Sequence, residues 1–362
     1  MMTSWISWFR RFLLPGFVFQ SMIIAGGYGT GRELVEFFLQ YGPLGGLLGM
    51  LLPATLVMSL ICLIAFELAR VTKSYDYRSF LKQLLGPFWF LYEISYLTAV
   101  LLILAVIGAA TGALLTETFG VQGSVGSAIL LAAIAFLAFK GTEVIEGFLS
   151  IWSFVLYGVY LTVFVLSMIK FGPAIESALT SYPPGDGWLM SGIRYSALQL
   201  SLVPAMLFAT AHIVERKEAL IAGALAGPIA IFPGILFFVA MLGHYPAILD
   251  RPVPANFVLE VLDSRILQIV FQVVLIGTFV ETGAALIHAF NERVAGSFAA
   301  FNRTMPDYAR PLIAIALLIG ALLMSRIGLI DLIAIGYGSL AWVFIGVLVV
   351  PLLTIGVWKI TR

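Results

Sequence analysis

A chain of 362 residues that is 61% hydrophobic and 11% charged, with a mean hydropathy of +1.05, carries more apolar surface than a soluble core of its size can bury. This composition excludes a water-soluble globular protein and defines a polytopic membrane protein. A net charge of +1 with no basic run gives no footing for nucleic acid, and the single Cys62 gives none for a disulfide framework or a thiol metal site.

Ten apolar segments follow in chain order, and 1–362 is read as one transmembrane domain. Arg10, Arg11 and Pro15 lead into them without a small-residue cleavage pattern, so the N-terminus is read as retained, with Trp5, Trp8 and Phe9 near the interface. Span one, Phe12 to Gln40, is interrupted: Ala25-Gly26-Gly27-Tyr28-Gly29-Thr30-Gly31 holds four glycines in six positions, and Arg32 and Glu33 follow directly. Glycine weakens the helix and the charges are costly in hydrocarbon, so a break lining a polar cavity is expected here. Span two is Leu44 to Arg70, with Pro53 inside it; Tyr75 to Leu85 is expected as an amphipathic helix on the inner surface. Span three is Phe88 to Thr118, span four Ser124 to Lys140, and span five Ile145 to Phe171. Span six, Ile193 to Val214, has a second interruption at Ser201-Leu202-Val203-Pro204-Ala205, readable as a kink or a functional break. Span seven is Glu218 to Gly243 and carries Pro228 and Pro233. Between it and span eight, Ile266 to Phe298, a loop with Pro252-Val253-Pro254 and Phe257-Val258-Leu259 is expected to form a hairpin capping the outer vestibule. Span nine is Pro311 to Arg326 and span ten Asp331 to Trp358.

Placing the N-terminus in the cytoplasm puts fourteen Lys and Arg residues in inner segments and four, Lys170, Arg251, Arg265 and Arg326, in outer ones. Both termini are therefore expected inside, in a bacterial-type inner membrane. The halves resemble each other: spans three and eight are overlong, four and nine short, two and seven proline-bearing, one and six interrupted. Since five is odd, a tandem five-helix unit inserts upside down the second time. The expected layout is two inverted repeats, 12–171 and 193–358, with a site at the midplane of a secondary transporter.

Gly27-Tyr28-Gly29-Thr30-Gly31-Arg32-Glu33-Leu34 with Phe37-Phe38, and Glu281-Thr282-Gly283 through His288 to Asn291-Glu292-Arg293, resemble the two recognisable segments of the YkvI-like membrane proteins. That family is placed in the amino acid–polyamine–organocation superfamily. The resemblance implies an all-α leucine-transporter fold, a 5+5 inverted repeat of ten helices with helices one and six broken. It further implies a central site lined by helices one, three, six and eight. In sodium-coupled members a cation lies between the first break and helix eight, which here points to carbonyls near Gly26 and Gly29 and to Thr278, Glu281 and Thr282. Glu281 departs from the usual hydroxyl ligand: it can strengthen sodium binding, accept a proton, or pair structurally with Arg32.

The expected substrate site is Gly27, Gly29, Thr30, Gly31, Arg32 and Glu33 from span one, Gly108 and Thr111 from span three, and Ser201, Ala205 and Phe208 from span six. Arg32 is read either as a ligand for a carboxylate or as a gate; Phe208 as an apolar wall or as a side chain facing lipid; Gly108 and Thr111 as a pocket floor or as close packing against span eight. Tyr337 and Trp342 are weaker gate candidates. The scattered His212, His244 and His288 make no metal motif, there is no Walker loop, and no enzyme signature is present. The sequence thus points to a carrier of a small amino-acid-like or carboxylate-bearing solute, coupled to sodium or protons, without another cofactor. Its partners are the solute and the bilayer, with a homodimer left open. A ligand sensor on the same fold is the rival; a divalent-metal carrier is disfavoured because Met206 has no aspartate or asparagine beside it.

Overall fold

The computed structural model describes residues 2–24, 28–140, 143–300, 303–306 and 308–362, and these are helical throughout, with no strand among them. Among the described residues six helices are long and apolar enough to cross a membrane, and shorter apolar ones accompany them. Leu56, Ile169, Phe232 and Leu312 lie on the exterior, as lipid-facing side chains do.

Span one is broken: a helix Leu14–Ile23 and a second, Arg32–Phe37, flank the glycine stretch. Span six is broken too, with Trp188–Leu200 ending in a turn before the short helix Val203–Met206. Pro204 sits in the first turn of that helix, where its missing N–H costs nothing, so the feature is a break rather than a kink. Span two runs Pro43–Thr72 and accommodates Pro53 in a wide π turn, Met50–Ala54. Spans three and eight are the long helices Trp89–Phe119 and Arg265–Ala300. Spans four and nine, Gly123–Lys140 and Ala309–Ser325, are shorter. Span ten is Leu329–Thr361.

Span five exceeds its expected end. The helix runs Glu143–Ser181, ten residues beyond Phe171, because hydropathy stops at the membrane surface while helical hydrogen bonding continues into water. Span seven, Arg216–Leu242, opens on a capping box between Glu215 and Glu218 and lies along spans one and two. Contact with span two is backbone on backbone. A Cβ at Gly223 would lie 2.3 Å from the Leu63 Cα, and one at Gly227 2.3 Å from the Ser59 hydroxyl. Spans three, four, eight and nine pack together as a second group.

The amphipathic helix Tyr77–Leu85 buries Phe80, Leu81 and Leu84 and lays Arg78 and Lys82 over the Trp89 ring. Asp76 caps it by accepting from the Ser79 amide at 2.9 Å. Partial burial pushes the Asp76 carboxyl up, but hydrogen bonds from the hydroxyl and amide of Ser79 and the amide of Arg78 outweigh it and hold the group below its ordinary value. A carboxyl lowered by folding adds stability above its unfolded value and loses it as pH falls through the folded one. Asp76→Ala is expected to cost about 1 kcal/mol at neutral pH and nothing at a pH below both values, measured as paired melting temperatures; an equal cost at both pH values refutes the cap.

Candidate functional site

Gly31 turns the chain into the outer half of span one. Its φ of +77° favours glycine, and a Cβ there would lie 2.6 Å from the Phe237 ring. Just before it, the Thr30 carbonyl accepts the Ala255 amide at 3.0 Å, and the Thr30 hydroxyl accepts the Arg32 amide at 3.2 Å. The short helix Pro254–Val261 therefore sits directly on the break, as a cap of the expected kind. Gly26 and Gly27 lie outside the described residues.

Arg32 and Glu33 are both buried and face different partners. The Arg32 guanidinium pairs with Glu36 and donates through Nη1 to the carbonyls of Leu249 at 2.7 Å and Arg251 at 2.9 Å. All these bonds run to the loop between spans seven and eight and to the helix's own next turn. Glu33 is 2% exposed and reaches span six, where its Oε2 accepts from the Gln199 side chain at 3.1 Å. No cation pairs with Glu33 among the described residues.

Tyrosines surround this contact. Tyr28 stacks with Tyr195, ring centres 6.4 Å apart, and its hydroxyl donates to the Ala230 carbonyl at 3.4 Å. The Tyr195 ring lies edge-on to Phe37 and Phe38, and its buried hydroxyl is within reach of the Tyr28 hydroxyl and the Gln199 side chain. Tyr337 is buried where span ten packs on the outer half of span one. Of these, the sequence singled out Glu33 and, weakly, Tyr337; it missed Tyr28, Tyr195 and Gln199. A lone glutamine two residues before Ser201 in an apolar span was the available signal.

At the span-six break, the Ser201 carbonyl accepts the buried Tyr92 hydroxyl of span three at 2.6 Å. Tyr92→Phe strands that carbonyl. It is expected to cost about 1–3 kcal/mol and to slow any cycle that moves span six against span three; an unchanged melting temperature would remove the contact from consideration. Ala205 is half-buried beside the break.

Two expectations are corrected. Phe208 is 62% exposed, so it is not an enclosed apolar wall; the tight 3₁₀ turn Leu207–Thr210 swings it outward. Gly108 does not floor a pocket at the breaks: its carbonyl accepts from Ser127 of span four at 2.8 Å, and its α-carbon faces Leu131 and Ser325. Gly108 is thus a packing residue between spans three, four and nine. Thr111 is buried and donates to the Ile107 carbonyl of its own helix.

Span eight meets the first break through Leu275 and Phe279, whose side chains press on Gly29. Thr282 projects near that side of the helix, Thr278 falls at its edge and Glu281 on the far side. The Thr278 hydroxyl donates to the Val274 carbonyl at 2.8 Å, leaving its lone pairs free. Glu281 is half-buried and makes no ion pair among the described residues; Arg32, its conceivable partner, is held by Glu36.

No family model matches the chain. A membrane protein of Bacillus subtilis (strain 168), described as uncharacterized membrane protein YkvI, is 25% identical over 343 residues, spanning 92% of this chain and 93% of its own. Among solved structures, a manganese transporter of Eremococcus coleocola aligns at 17% identity and a TM-score of 0.60, over 95% of this chain and 78% of the transporter. MhsT in complex with L-phenylalanine aligns at 16% identity and a TM-score of 0.57, over 96% of both chains. Inward-facing Mhp1 aligns at 15% and 0.59, over 90% of this chain and 75% of Mhp1. With its two broken helices and its chain-long alignments, this multi-pass membrane protein has the leucine-transporter fold of ten helices in a 5+5 arrangement.

Proposed function

We propose that the protein is a secondary transporter that moves a small amino-acid-like or carboxylate-bearing solute by alternating access in a bacterial-type inner membrane, both termini cytoplasmic. The observation that carries this is the joining of the two breaks by Glu33 and Gln199 beneath a separate outer latch from Arg32 to the loop. A midplane site closed by a detachable lid is what alternating access requires. The inverted repeats at 12–171 and 193–358 supply the pseudo-symmetry by which one side opens as the other closes.

The solute is placed against the backbone of Gly29 to Gly31 and Ser201, with Ala205 beside it. Drive comes from a sodium or proton gradient. Thr278 and Thr282, on the helix whose Leu275 and Phe279 press on Gly29, offer the hydroxyl and carbonyl oxygens that a hard monovalent cation takes. A manganese-type cargo is not adopted, because Met206 at the second break has no aspartate or asparagine beside it.

The test is net solute entry into sealed vesicles holding the purified protein, with a panel of amino acids, carboxylates and amines under imposed sodium and pH gradients. Accumulation of one class that collapses with the gradient supports the carrier. A ligand that raises the melting temperature in the same panel yet never accumulates favours the sensor.

A further inference from the structure

Resting on that reading, we propose that Glu33, rather than Glu281, carries the coupling ion, and that the ion is a proton. The sequence places a guanidinium next to Glu33, yet the fold spends it elsewhere: Arg32 is engaged by Glu36, Leu249 and Arg251. Among the described residues Glu33 is left enclosed between spans one and six with one amide hydrogen bond and no cation. An ionised carboxylate closed in that way carries its desolvation cost uncompensated. Something must arrive to neutralise it before the halves can close.

The surroundings select the proton over a metal ion. Gln199 presents its amide N–H₂ to the carboxyl, a donor that favours an acid or carboxylate and opposes a bare cation. The titratable groups facing Glu33 are Tyr28 from its own span, Tyr195 from span six and Tyr337 from span ten. Arg194 of span six is turned to the rings of Phe37 and Trp342. Span seven contributes only the apolar stretch around Ala230, Gly234 and Phe237 there. The Tyr195 hydroxyl, beside Tyr28 and Gln199, is the donor or acceptor at hand for a proton leaving the carboxyl. In the cycle, Glu33 as carboxylate takes a proton from the outer side when the Arg32 latch opens, spans one and six close over the neutral acid, and the same proton returns to water on the inner side. No other atom is exchanged.

The experiment has two readouts on the full chain in vesicles. Infrared difference spectra between acid and alkaline buffer report the carboxylic C=O band directly. Wild type and Glu33→Asp should show a band whose ratio of protonated to ionised form changes about tenfold per pH unit, as one proton requires. Glu33→Gln should lack it and Glu281→Gln should keep it. A trapped pH dye, with the same solute panel outside, reports proton entry that depends on solute, expected for wild type, Glu33→Asp and Glu281→Gln and lost in Glu33→Gln. If Glu33→Gln keeps solute-driven proton entry, or sodium alone drives uptake in every variant, the proposal is overturned while the carrier stands. If the band follows Glu33 but no solute moves under any gradient, the carrier reading falls, and the coupling role with it.

Discussion

Arg32→Ala is expected to lower stability by about 3–5 kcal/mol, because it leaves the Glu36 carboxylate buried and unpaired and strips two loop carbonyls of their donor. Replacing both partners, Arg32→Met with Glu36→Leu, removes the orphan charge and should recover most of the melting temperature. Recovery of stability should not restore the latch. A cysteine at Ala255, on the cap helix, is expected to react with an impermeant maleimide faster in the double variant than in a chain with Arg32 and Glu36 intact. If Arg32→Ala melts like wild type and labels at the same rate, the outer latch has no energetic content.

The second large effect belongs to the inner end of span eight. Arg293 donates to Glu93 at 2.8 Å and lies between the rings of Tyr77 and Tyr96, 3.8 and 3.9 Å from their centres. It ties span eight to span three and to the amphipathic helix. Arg293→Ala leaves Glu93 unpaired in a nearly dry place, about 3–5 kcal/mol, and forfeits the two ring contacts, about 0.5–2 kcal/mol each. Arg293→Lys should rescue little, since an ammonium cannot lie flat between two rings and bond a carboxylate at once. Residual folded protein after heating, read by size exclusion, measures both; a lysine variant as stable as wild type refutes the sandwich as the source.

Spans whose cause is local were readable in the sequence. The glycines, Arg32 and Glu33 weaken a membrane helix on their own account, and Pro204 marks the second break without knowledge of its neighbours. The lengths of spans three and eight follow from hydropathy. Partners were not readable. Gln199 and Glu33 are 166 positions apart, and nothing in either stretch names the other. Gly108 announces a close approach but not that span four and Ser325 make it. The carbonyls that Arg32 meets belong to a loop more than two hundred residues away, which its own stretch does not name. Phe208 had two readings, and the 3₁₀ turn Leu207–Thr210 leaves its side chain exposed.

The outer latch divides the burden of heredity unevenly. Leu249 and Arg251 hold the guanidinium through their main-chain oxygens, so any residue that keeps the loop's path can replace either. Arg32 and Glu36 contribute through side chains that are buried together, so a change in one is penalised until the other changes. Among descendants of this gene the loop is free to drift in sequence, while the pair beneath it should be inherited, or lost, as a unit.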